Sequence, residues 1–321
     1  MVTRRVSAAA STEEPRGASA GTTRRIFTFG LVPLHLVLVA WTVGLRVDHL
    51  LIDAASIGLF YIGPKSARFA QLLLPIWLVG FIYELQPLLL PLRGSVHVED
   101  LYRAELAWFG VESGGERLTP PQLLGRHLSA PLDLLCGVTY LLYLVETFVF
   151  AGLLYFKDQE RMSTLTLSFL AVNLAGICTY LLYPAAPPWY VDSYGLGPAV
   201  LDAAPSAARA ARFDALVGVN VFASFYSRNA NIFGAVPSLH CAYPMLVLLC
   251  SRPLGKGAVA FAAVFAALVG FSAVYLNHHY VIDVVLGVLY ALGTFAAVRT
   301  VRRYLSAHAS VPKGALSHAP G

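Results

Sequence analysis

The chain has 321 residues, 57% of them hydrophobic and only 13% charged, with a mean hydropathy of +0.64. A soluble domain carries roughly 25% charged residues, so this composition excludes a water-facing globule and makes a bilayer the solvent. The net charge of +5 comes from short Lys and Arg clusters between apolar blocks, which is the pattern of topology signals and excludes a basic nucleic-acid face.

Residues 1–25, rich in Ala, Ser, Thr, Gly and Arg without apolar periodicity, read as a disordered basic tail. The block after it lacks a small-residue cleavage site and reads as an anchor. About 20 apolar residues cross a bilayer as a helix. Blocks of that kind lie at 26–45, 69–92, 132–156, 164–183, 238–251, 257–276 and 280–300. A weaker block at 47–63 is interrupted by Asp48, His49 and Asp53, and Val98 to Phe109 reads as an amphipathic helix at the interface. Arg4, Arg5, Arg16, Arg24 and Arg25 precede the first block, and Arg299, Arg302, Arg303 and Lys313 follow the last, so both termini are expected to be cytoplasmic. An even count then makes 47–63 cross, giving eight spans within a range of six to eight. Residues 26–303 form the membrane domain and 304–321 a disordered C-terminal tail. The fold class is all-α: a polytopic bundle with a six-helix core and extra N-terminal helices. Cys136, Cys178, Cys241 and Cys250 form no close pair and read as small buried hydrophobes.

In this topology three separated pieces meet on the non-cytoplasmic face. Ionisable residues at membrane depth are costly, which makes them functional candidates. His279 and Asp283 are four apart, on one face of a helix. A carboxylate there accepts a proton from one imidazole nitrogen and leaves the other basic, as nucleophilic attack requires. The second piece, Gly234-Ala-Val-Pro-Ser-Leu-His240, opens an apolar run. Pro237 suits a first helical turn, the helix start offers free N–H groups to a phosphate, Ser238 adds a hydroxyl, and His240 is placed to exchange a proton with a phosphate oxygen. In the third piece, Pro184-Ala-Ala-Pro-Pro-Trp-Tyr190, prolines end a helix and Trp189 and Tyr190 stand at anchoring depth.

These motifs carry a resemblance. Pro-Ser-Leu-His followed by His-Tyr-Val-Ile-Asp resembles the type 2 phosphatidic acid phosphatase superfamily. Ala186-Pro-Pro-Trp-Tyr190, Ala211-Arg-Phe-Asp214, Phe233 to His240 and Tyr275 to Asp283, in order over about 180–287, resemble its inositol phosphorylceramide synthase branch, known from fungi. The resemblance implies that His279 is the nucleophile, Asp283 its orienting carboxylate and His240 the general acid and base, with a phosphohistidine intermediate and no cofactor or metal. It also implies a phospholipid donor, plausibly phosphatidylinositol, and a hydroxyl-bearing lipid acceptor.

One departure bears on the substrate. Trp189 and Ala273 stand where the broader superfamily carries cations, and fewer cations suit a singly charged phosphodiester. Arg212, then Arg228, are the replacement candidates beside Ser238. Blander readings stand next to these. His279 with Asp283 makes a structural pair in many bundles, and the second His-bearing helix start favours catalysis. His278 reads as structural, Asp214 equally as a loop carboxylate, and Tyr275 and Tyr280 as packing. A metal at His240, His278, His279 and Asp283 is disfavoured, and His35, His49, His97 and His127 have no motif around them. The leading function is headgroup-phosphate transfer between lipids. A lipid phosphatase is the alternative within enzymes, and a non-catalytic lipid-binding or transport protein the alternative outside them. Oligomeric state is not legible.

Overall fold

The structure, a computed structural model, describes residues 16–228 and 231–309. It divides into two units, Met1–Leu73 and Leu74–Gly321. In the first, helix α1 (Arg16–Ile26) continues through a π-helical turn, Phe27–Leu31, into α2 (Val32–Thr42). Helix thus begins at Arg16, inside the segment expected to be a tail; residues 1–15 lie outside the described residues. Helix α3 (Val47–Ile62) starts where the Arg46 N–H donates to His49 Nδ1 at 3.2 Å. The polar residues that interrupt this block turn inward: Asp53 Oδ2 meets His35 Nδ1 of α2 at 2.7 Å, both side chains buried. With 16 residues, α3 falls short of the about 20 that a span needs, and so does α13 with 12, so the eight-crossing count rests on these two helices.

Helix α4 (Pro64–Glu84) leads into the second unit and ends before a short α5 (Gln86–Leu89), where a single block to 92 was expected. The amphipathic α6 follows as Glu99–Phe109, then a hairpin of β1 (Val111–Ser113) and β2 (Glu116–Leu118) and the short α7 (Pro120–Gly125). The long α8 (Ala130–Lys157) and α9 (Gln159–Leu182) are separated only by Asp158, whose side chain caps α9 by accepting from the Arg161 N–H at 2.9 Å. Three short helices, α10 (Pro188–Tyr194), α11 (Ala210–Val217) and α12 (Val221–Tyr226), fill the long connection to α13 (Leu239–Cys250). Helices α14 (Lys256–Tyr275) and α15 (Val281–Ala309) complete the chain, the last running past the expected domain end at 303.

Among the described residues six helices are long and apolar enough to cross a membrane: Gly21–Thr42, Pro64–Glu84, Ala130–Lys157, Gln159–Leu182, Lys256–Tyr275 and Val281–His308; Leu239–Cys250 is apolar but shorter. The protein is an all-α, multi-pass membrane bundle. Short α13 is its axis, packed against α8, α9, α14 and α15. Phe148, Phe156, Leu182, Phe261 and Leu289 stay exposed on the outer helices, as expected of faces solvated by lipid chains. Arg302 of α15 hydrogen-bonds Ser163 of α9 at the end of the bundle that also carries Lys157 and Arg161. The starts of α8, α13 and α15 lie at the other end.

Two features position that other end. Three extended pieces lie side by side: the His97 N–H donates to Pro184 O, Ala186 N–H to His97 O, and Ala185 N–H to Phe233 O, at 2.8, 2.9 and 2.8 Å. Gly287 on α15 lets the start of α13 approach without a side chain between them. A Cβ there would stand 2.2 Å from Ser238 O, and the Ser238 N–H donates to Asp283 O at 3.0 Å.

Candidate active site

Local chemistry explains each placement. Ser238, extended, is the N-cap of α13, which puts His240 at its second position. Pro244 in the next turn lacks the N–H that an α-helix would direct at the His240 carbonyl. On the facing side α14 ends with His278 and His279 N–H groups both donating to Ala273 O. Asn277 adopts φ 66°, which an Asn side chain tolerates better than most. That turn delivers His279 immediately before α15, whose third residue is Asp283.

The three sequence-predicted residues converge. His279 Nδ1 lies 3.4 Å from Asp283 Oδ2, and His279 Nε2 lies 3.2 Å from His240 Nδ1. The first distance is long for a hydrogen bond, a looseness common where a pair tightens only when charge develops on the imidazole. Asp283 is fully buried; its Oδ2 also accepts the Tyr280 N–H at 2.8 Å, and its Oδ1 has no partner among the described residues. Ser238, also fully buried, directs its hydroxyl to Cys241 Sγ at 3.3 Å.

A column of rings backs His240. Tyr226, His278, Tyr140 and His240 stack in that order, with successive centroids 4.4, 5.5 and 4.6 Å apart. Tyr143 meets His240 edge-on at 4.8 Å. Burial pushes the His278 imidazole down to about 3, so it stays neutral and serves as packing, as its position beside His279 suggested. Tyr140, Tyr143 and Tyr226 were not singled out by the sequence, because a tyrosine in an apolar helix carries no local mark of what it faces.

The predicted cations are placed differently. Arg212 binds one oxygen of buried Asp133 through Nε and Nη2, at 3.0 and 2.8 Å, while Tyr275 donates to the other oxygen at 2.8 Å. Arg228 is exposed after α12. Arg209, not singled out, is mostly buried and donates through Nη1 to Pro121 O and Tyr275 O; burial lowers its pKa. Asp214 is a buried cap, accepting the Phe222 and Ala223 N–H groups at 3.1 and 2.9 Å. Trp189 and Tyr190 are buried under the loops, where the Trp189 N–H donates to Asn277 O, and so do not lie out among lipid headgroups.

Glu105 was also missed. This residue of α6 is fully buried and accepts the Val281 and Ile282 N–H groups at 2.8 and 3.0 Å. Burial pushes its carboxyl up to about 7. The available signal was spacing: Leu101, Glu105 and Phe109, four apart, put a charge on the apolar stripe of an amphipathic helix.

Buried histidines and a carboxylate thus gather at helix starts in a multi-pass membrane bundle. The chain belongs to the PAP2 superfamily, whose family model matches residues 123–297, from α7 through most of α15. It is 39% identical over 268 residues to a phosphoinositol dihydroceramide synthase of Bacteroides thetaiotaomicron, covering 82% of this chain and 87% of that protein. It is 30% identical over 183 residues to the inositol phosphorylceramide synthase catalytic subunit of Schizosaccharomyces pombe, and 33% over 170 residues to the inositol phosphorylceramide synthase of Candida albicans. Those alignments cover 56% and 51% of this chain but only 43% and 35% of the fungal proteins. No solved structure matches it.

Proposed function

We propose that this protein transfers inositol phosphate from a phosphatidylinositol-type donor to the hydroxyl of a ceramide-type acceptor. The observation that carries the proposal is the relay at the start of α13, in which His279 Nε2 faces His240 Nδ1 at 3.2 Å while His279 Nδ1 faces Asp283. The bacterial relative, similar over most of both chains, supports the donor and acceptor classes by its name.

The chemistry runs in two displacements. With its Nδ1 proton held by Asp283, His279 directs the Nε2 lone pair at phosphorus. The N–P bond forms as the bond from phosphorus to the glycerolipid oxygen breaks, and protonated His240 gives that oxygen its proton. The diacylglycerol leaves. His240, now neutral, takes the proton of the acceptor hydroxyl as its oxygen attacks phosphorus, and the N–P electron pair returns to His279. Ser238 and the free N–H groups opening α13 are suited to the phosphate oxygens. Arg212 supplies charge from its remaining Nη1 donor, with Arg228 as the second source. The site faces the non-cytoplasmic side with both termini inside, because Lys157, Arg161, Arg252 and Lys256 gather in the loops at the opposite end.

The test follows phosphatidylinositol labelled in its inositol phosphate, incubated with purified protein in mixed micelles, with and without ceramide. The expected result is a labelled lipid that requires the acceptor and disappears in His279→Ala. Release of water-soluble label alone would replace this reading with a phosphatase, and no conversion of any donor would replace it with a binding protein.

A further inference from the structure

Helix α15 carries the carboxylate on which the relay depends, and its own start is buried. The first N–H groups of any α-helix have no partner within it. At α15 these are the N–H groups of Tyr280, Val281, Ile282 and Asp283, and carboxylates take the first three. Asp283, in the first turn, takes Tyr280, and Glu105 takes both Val281 and Ile282 from 176 and 177 residues away in sequence. A carboxylate suits this place because its two oxygens accept two N–H groups while its charge meets the positive end of the helix dipole.

The arrangement keeps Asp283 available. Without Glu105, the two orphaned N–H groups stand in the same first turn as Asp283, whose Oδ1 is already buried without a partner. A buried N–H left without a partner is costly, and the pull it exerts competes with a contact to an imidazole that is only 3.4 Å long. We propose that Glu105 is a positioning residue for the transfer reaction: by capping α15 from the interfacial helix α6, it releases Asp283 to orient His279. The proposal rests on the reading of His279 as nucleophile, and it makes α6 part of the catalytic framework.

The test uses the full-length protein in micelles with Glu105→Gln and Glu105→Ala. Gln keeps the shape but offers one acceptor oxygen, so it remains informative if Ala fails to fold. Hydrogen exchange at the Val281 and Ile282 amides reads the cap directly, whether or not the function reading holds, and it is expected to quicken in both variants. Steady-state kinetics are expected to show kcat lower by roughly 10²-fold, the scale of a misplaced catalytic group, with KM within about twofold. The deciding measurement is a double-mutant cycle with Asp283→Asn. If Glu105 acts through Asp283, replacing it adds little once Asp283→Asn is already in place; a merely structural residue lowers both backgrounds equally. Additive effects, or an unchanged kcat in Glu105→Gln, would overturn the proposal. Full transfer activity in His279→Ala would instead overturn the function reading, leaving the exchange result to judge the cap.

Discussion

Among the described residues two buried histidine–aspartate pairs stand out, and the one that looks better by geometry lies outside the family match. His35 and Asp53 in the first unit meet at 2.7 Å; His279 and Asp283 in the second are 3.4 Å apart. The first pair even has a second imidazole nearby, since His49 lies edge-on to His35 with ring centroids 5.8 Å apart. What differs is the surroundings. His49 Nδ1 is spent on the N–H of Arg46 at the start of its own helix, whereas His240 points Nδ1 at His279 from the start of a different helix. The family match begins at residue 123 and leaves the first pair outside. The first pair satisfies two buried groups; the second turns its other nitrogen toward a second imidazole, the arrangement that the proposed function uses.

That contrast is open to experiment. The largest expected effect is on His279→Ala, which removes the proposed nucleophile: transfer falls by on the order of 10⁴-fold or more, with the elution profile of the detergent complex unchanged. His240→Ala is expected to cost roughly 10³-fold, within the range for a general acid–base group. A donor with a nitrophenolate leaving group should recover most of the first step, seen as a burst of nitrophenol. Asp283→Asn and Asp53→Asn make the matched pair of tests: the first lowers kcat by roughly 10²-fold or more, and the second leaves kcat per folded molecule within about twofold. Asp53→Asn should instead lower the thermal midpoint, because breaking a buried pair costs roughly 3–5 kcal/mol. Smallest is the joint replacement His35→Leu with Asp53→Leu. An apolar pair of similar volume often restores the stability lost by breaking an ion pair, so the midpoint returns toward that of the parent protein. Loss of transfer in this variant, with the midpoint restored, would break the distinction drawn here.

How much of this the chain disclosed depended on distance along it. The spanning helices were legible because a bilayer demands length and hydropathy within one segment: α8, α9 and α14 follow their apolar blocks closely, and α15 starts with its block but runs on to Ala309. His240, His279 and Asp283 were legible because a buried charge in an apolar run is rare enough to need a reason. Tyr140 and Asp133 were not, since their importance lies in what they meet 100 and 79 positions away. Arg212 was visible as a charge, but its ion-pair partner Asp133, 79 positions away, was not. The helix at Arg16 was hidden by a composition of small residues that favours no particular structure.

The contact between Gly287 and Ser238 has a consequence for substrate choice. The helices that carry His240 and Asp283 meet there main chain to main chain, with no side chain whose rotation could widen the gap. On the proposed function, the gap that takes phosphorus is therefore of fixed bore. A lipid with a different alcohol or longer tails would then be accommodated elsewhere, while the width across the reacting atom would not adjust. Divergence within such a scaffold is then free to change what is carried to and from the phosphate, and position 287 is where a sequence would first betray that the bore itself had been altered.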